Sequence, residues 1–262
     1  MTARHDPCRY HRVRWTGARR SIARVWAQSC EGLAPAAWRG GGVLHSPAMG
    51  FAGWPAEAIE FYEGLEADNS KTYWIAHKSV YEEAVHGPMA ALLDELAVEF
   101  GEGRIFRPYR DVRFSRNKAP YKTAIAATLA AGGYFQLSAS GLGAGTGMYM
   151  MAADQLDRYR RAVADDASGG ELESAIAQVE KERISVSGHD RLKTAPRGYS
   201  KDHPRIDLLC NKGLITWQQW DVGPWLGTKE VKTRVARFLR ASRPVCDWLD
   251  VNVGPTTMEV RR

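Results

Sequence analysis

Hydrophobic positions between residues 55 and 100 recur every three or four places, the spacing of a buried helical face. Ile59, Tyr62 and Leu65 predict a helix over 55–68, with Pro55 suited to its first turn. Asn69 or Ser70 caps a second helix that reaches Glu83, on which Trp74, His77, Lys78 and Tyr81 share a face. Gly87-Pro88 is expected to break it. A third helix carries Met89, Leu92, Leu96 and Phe100 on one side and ends at Gly101 and Gly103.

The period then falls to two. Over 105–114, Phe106, Val112 and Phe114 alternate with Arg107, Tyr109, Asp111 and Arg113. A small-residue apolar run follows over 123–131. Residues 133–139 and 142–151 alternate again, the latter with Gly143, Gly145 and Gly147 on one face. These glycines leave room for a ligand, let another element approach, or mark a bulge. Short connections predict antiparallel pairing. Helical spacing returns with Leu156, Tyr159 and Val163, then with Leu172, Ile176 and Val179. A polar loop over 184–204, a short helix over 206–212, a strand around 214–220 and a last helix over 228–249 complete the pattern. The predicted class is α+β: an antiparallel sheet with helices before and after it, in a single domain over 49–262.

Charge changes how the ends of the chain are read. The net charge of +6 resides in residues 1–48, with eight Arg and no Lys against Asp6 and Glu31. Residues 49–262 hold 28 basic and 28 acidic residues, so their charge gives no support for nucleic-acid binding by the folded part. The extension over 1–48 has Trp15, Trp26 and Trp38 without period, and is expected to be disordered or poorly packed. Three readings of it compete: a nucleic-acid arm, a targeting peptide, or translated upstream sequence with the start at Met49. The third is preferred.

The four cysteines, Cys8, Cys30, Cys210 and Cys246, show no metal or redox spacing, and a reducing, cytoplasmic compartment is the default. No apolar run is long enough to cross a membrane, and no signal peptide is evident. Walker, dinucleotide-fingerprint, zincin and serine-elbow motifs are missing as well, which argues against the enzyme classes they define. No cofactor and no metal site is expected.

Candidate chemistry concentrates in two basic segments. Residues 49–103 carry eleven acids and two bases, whereas 104–122 carry seven bases and one acid. Either the two blocks neutralise each other or the basic block faces an anion. Arg110, Arg113, Arg116, Lys118, Tyr121 and Lys122 come from the first basic segment; Arg191, Lys193, Arg197 and Tyr199 come from the second. Guanidinium forks suit phosphate or carboxylate, and the two segments are candidates for one shared anion site. Asp111 reads as the ion-pair partner of Arg113. Asp202-His203 could supply proton chemistry but reads better as a cap for the short helix after Pro204. His189 reads as a solvated loop residue, and Trp217, Trp220 and Trp225 as core or core rim.

The chain from about Phe51 to Gly254 resembles the domain of unknown function 2461 family. The pieces that carry this are Phe61-Tyr62-Glu63-Gly64-Leu65 with Asn69 and Trp74, and the run from Tyr109-Arg110-Asp111-Val112-Arg113 through Ala119-Pro120-Tyr121-Lys122-Thr123. Gly147-Met148-Tyr149-Met150, Arg191-Leu192-Lys193-Thr194-Ala195-Pro196-Arg197-Gly198-Tyr199 and Asp202-His203-Pro204 add to it. Ala124 stands where the family pattern leads one to expect a polar residue. The resemblance implies a cytosolic, mostly bacterial α+β protein with no known cofactor. Three functions stay open: a module binding a phosphate-bearing or other anionic ligand, a metal-independent enzyme on an anionic substrate using Tyr121 or His203, and an interaction domain docking through the acidic helices.

Overall fold

The computed structural model describes residues 50–113, 115 and 117–258. The expectations for the N-terminal extension, Phe114 and Arg116 lie outside the described residues.

Helix α1 (Ala56–Ala67) starts directly after extended Pro55 and buries Ala58, Ile59, Phe61, Tyr62 and Leu65. The Ser70 hydroxyl then accepts the Tyr73 N–H at 3.1 Å and caps α2 (Lys71–Ala76), which buries Trp74. A single turn, α3 (Lys78–Val80), leads into a wider π-helical turn, Tyr81–His86. Here the structure corrects the expected break. The Gly87 N–H reaches back to Glu82 O, so the chain widens by one residue and continues straight into α4 (Gly87–Phe100). Pro88 lacks an N–H but sits in the first turn of α4, where that loss is tolerated.

Six strands form one open antiparallel sheet: β1 (Gly103–Ile105), β2 (Ala124–Leu129), β3 (Tyr134–Ser138), β4 (Gly141–Met148), β5 (Ser185–Ser187) and β6 (Leu214–Trp220), in the order β1-β2-β3-β4-β6-β5. Two helices, α5 (Ala153–Ala164) and α6 (Asp166–Lys181), separate β4 from β5; α7 (Ile206–Leu209) precedes β6, and α8 (Glu230–Asn252) ends the fold. The loop expected over 184–204 thus contains an edge strand, too short to show alternation. The strand expected over 105–114 stops at Ile105.

Register divides the sheet into two faces. Ile125, Ala127, Leu129, Phe135, Leu137, Leu142 and Ala144 join the helices' apolar side chains in one core. Thr216 donates to Ser242 of α8 at 2.9 Å, which ties that helix to the same face. On the other face Tyr134, Gln136 and Trp217 are buried outside this core, and Tyr134 O–H donates to Gln136 Oε1 at 2.8 Å. The glycines of β4 serve this packing. A Cβ on Gly143 would lie 2.5 Å from the Trp217 ring, and Gly147 adopts φ +105°.

Candidate functional site

Past Ile105 the chain leaves the sheet but stays paired. Phe106 N–H donates to Ala126 O at 2.9 Å, Arg110 N–H to Pro120 O at 2.9 Å and Lys122 N–H to Pro108 O at 2.8 Å, with Tyr109 opposite Tyr121. The result is a narrow ribbon that extends beyond the Ala124 end of β2. Ile105 faces Ala127 whereas Tyr109 faces Tyr121, so four steps on one side oppose six on the other. This bulge turns the ribbon away from the sheet.

Asn69 fixes the ribbon to the helices. Its Nδ2 donates to Tyr121 O at 3.1 Å and its Oδ1 accepts Tyr121 N–H at 3.0 Å. The Tyr121 ring stacks on Trp74 with centroids 4.4 Å apart and planes 7° from parallel. Tyr81 also packs on Trp74, with centroids 4.8 Å apart. Tyr109 lies over both rings, 5.9 Å from Trp74 and 5.5 Å from Tyr121, and stays 50% exposed. Burial, then the charge of Glu82, then Tyr109 push the Tyr81 hydroxyl well above its ordinary range. Burial raises Tyr121 in the same direction.

Tyr109 and Tyr121 face the helices, so the alternation of the ribbon sends Arg110 and Lys122 to its other side. There the Lys122 ammonium lies 5.5 Å above the Phe106 ring. Arg113 holds Asp111 through Nε and Nη2, the latter at 2.6 Å, which matches the expected pair. The hydrogen bonds from Arg113 pull the Asp111 carboxyl down to about 2. Lys118 Nζ donates to Val112 O at 3.0 Å. Arg110 is half-buried and has no ion-pair partner among the described residues.

The acidic helices find their counter-charges elsewhere. Glu95 pairs with Lys232 at 2.8 Å and Glu99 with Arg240, both on α8. Among the described residues no ion pair joins 49–103 to 104–122, so the two blocks do not neutralise each other through direct pairs.

The second basic segment lies far from the ribbon. β5 runs from Ser185, opposite Trp217, to Ser187, opposite Ile215, and residues 190–192 continue along 210–212. That segment therefore emerges at the Leu214 end of the sheet, beyond the β5 edge. The ribbon emerges at the opposite end, beyond the β1 edge. β4 alone spans about 25 Å at the usual strand rise. A single anion site drawing on both segments is not assembled.

Arg191 instead binds Asp207, through Nη2 to Oδ1 at 2.7 Å and to O at 3.2 Å. Lys212 pairs with Asp190 at 2.7 Å. Lys193 and Arg197 are exposed, and Tyr199 packs half-buried against the core. His189 is not a free loop residue: it stacks on Tyr149 at 3.8 Å. Asp202 caps nothing, since α7 has Arg205 as its N-cap and no side-chain cap. His203 Nδ1 accepts the Arg205 N–H at 3.0 Å, in the loop next to α7.

Sequence reading missed Tyr109 as the exposed ring and Asn69 as the clamp. Asn69 and Tyr121 are 52 positions apart, and no local spacing links them.

The fold and site define an open antiparallel α+β domain with a basic ribbon seated on an aromatic stack. The chain belongs to the DUF2461 family, described as a conserved hypothetical protein, which it matches over residues 57–248. The match includes Asn69, Trp74 and the ribbon. No curated protein matches the chain. Among solved structures it is similar to a conserved hypothetical protein from Pyrococcus furiosus, at 15% identity and a TM-score of 0.33, over 65% of this chain and 96% of that one. No described helix is long and apolar enough to cross a membrane.

Proposed function

We propose that the protein binds a phosphate-bearing or other anionic ligand at the ribbon, through Arg110, Arg113, Lys118 and Lys122. One observation carries this reading: Glu95 and Glu99 of α4 pair with α8, and Arg110 has no ion-pair partner among the described residues. A half-buried Arg110 without an ion pair is costly unless a charge or water meets it, and an anion would do so. Arg191, Lys193, Arg197 and Tyr199 are not part of this site. The enzyme reading has less support, because Tyr121 is buried in the stack and His203 belongs to the other end of the sheet. A bacterial, cytoplasmic setting goes with this reading; the free thiols Cys210 and Cys246 fit it.

The test is thermal unfolding of the full chain with pyrophosphate. At a hundredfold excess over Kd, a bound anion stabilises by about 2.7 kcal/mol. The shift should vanish in Arg110→Ala/Arg113→Ala and persist in Arg191→Ala. No shift in the wild type, or an equal shift in the double variant, overturns the reading.

A further inference from the structure

The side of the ribbon that faces the helices carries an exposed aromatic ring. Tyr109 is the large ring exposed there, and the buried pair Trp74 and Tyr121 supports it from behind. A ring held this way has little freedom to lose when a second ring lies on it. From the ribbon, Arg107 lies near enough to Asp111 to lower its carboxyl, and Arg113 is 77% exposed. Of the neighbouring carboxylates, Asp111 is held by Arg113, and Glu82 lies beside Tyr81.

We infer that the anionic ligand is a nucleotide unit, with its base stacked on Tyr109 and its phosphate at Arg113, whose guanidinium reaches Asp111 two positions from that ring. The inference rests on the anion reading above and adds the chemical class. Inorganic phosphate has no use for an exposed, supported ring, whereas any nucleobase presents a π-face to it. Tyr109 acts by stacking, so its hydroxyl is dispensable. The same chemistry is offered by a free nucleotide and by the end of a single strand.

Calorimetric titrations of the full chain with ADP, pyrophosphate and 5′-phosphorylated octathymidylate test this. ADP should bind roughly tenfold or more tightly than pyrophosphate, the factor that one stacked base contributes. Tyr109→Ala should erase that advantage and leave pyrophosphate binding intact. Tyr109→Phe should preserve it, and Arg113→Ala should weaken both ligands. Tighter binding of the oligonucleotide assigns a strand end, and equal or tighter binding of ADP assigns a free nucleotide. If ADP and pyrophosphate bind equally, or the ADP advantage survives in Tyr109→Ala, the stacking inference is wrong while the anion site stands. If pyrophosphate and ADP both fail to bind, the two readings fall together.

Discussion

The ribbon over 106–122 and the loop over 189–199 look alike in composition and differ in how their charges are met. In the loop, Arg191 pairs with Asp207, and the neighbouring Asp190 takes Lys212. Backbone bonds fasten it further: Leu192 N–H donates to Cys210 O at 2.8 Å and Lys212 N–H to Asp190 O at 2.8 Å. In the ribbon the one carboxylate, Asp111, answers Arg113, and Glu95 and Glu99 of α4 pair with α8 instead. A run of cations in a sequence therefore says little until the carboxylates around it are placed. The loop uses Arg191 to hold α7. The ribbon is held by aromatic stacking and the Asn69 clamp.

That contrast predicts different costs for disturbing each region. Trp74→Ala removes the ring on which Tyr121 stacks and which Phe61, Tyr81 and Tyr109 touch. The expected loss is about 3–5 kcal/mol, a fall in Tm on the order of 10 °C. Anion binding should be lost with it, because the ribbon no longer has a seat. A variant that unfolds at the wild-type temperature would show that the stack is not what positions the ribbon.

Asn69→Ala is the narrower cut. It leaves the Tyr121 N–H and C=O without their partner, and should cost about 1–3 kcal/mol. Hydrogen exchange at the Tyr121 amide should accelerate far more than at Leu192 in the loop. In the loop, Arg191→Ala breaks a pair whose side chains are 49% and 90% exposed, and should cost only about 0.2–1 kcal/mol in denaturant unfolding. A larger loss from Arg191 than from Asn69 would invert the comparison.

Much of the fold was legible because periodicity reports burial. Ile59, Tyr62 and Leu65 are buried as spaced, and Phe135 and Leu137 face the core as their alternation requires. Failures came where a tertiary feature overrides a local signal. Gly87-Pro88 reads as a break, yet one wider turn before it suffices to carry the helix through. β5 has three residues and is defined by its partner β6. The pairing of Asp111 with Arg113 was readable because it is local. The separation of the two basic segments was not, because sheet order and strand direction decide it. Tyr109 lay in view within the strongest motif, but its exposure depends on Trp74 and Tyr121 arriving beneath it.

The smallest effect is also the most local. Arg113 donates side-chain and then backbone hydrogen bonds to Asp111, and these bring the carboxyl from the ordinary 3.8 to about 2. A depressed carboxylate favours the folded state above the ordinary value and loses that contribution as pH falls through about 2. The pair lies at the surface with Arg113 77% exposed, so solvent screens it, the pH dependence of unfolding should barely register it, and the carboxyl resonance is the better readout. In Arg113→Ala its midpoint should return toward 3.8. Asp190 offers the control, since Lys212 lowers it in the same direction through a hydrogen bond. An anion at the ribbon would draw Arg113 away from Asp111 and repel its charge, which raises the Asp111 midpoint. Asp190, at the other end of the sheet, should not respond. Pyrophosphate that moves both carboxyls equally is acting through ionic strength, and the distinction between ribbon and loop would then fail.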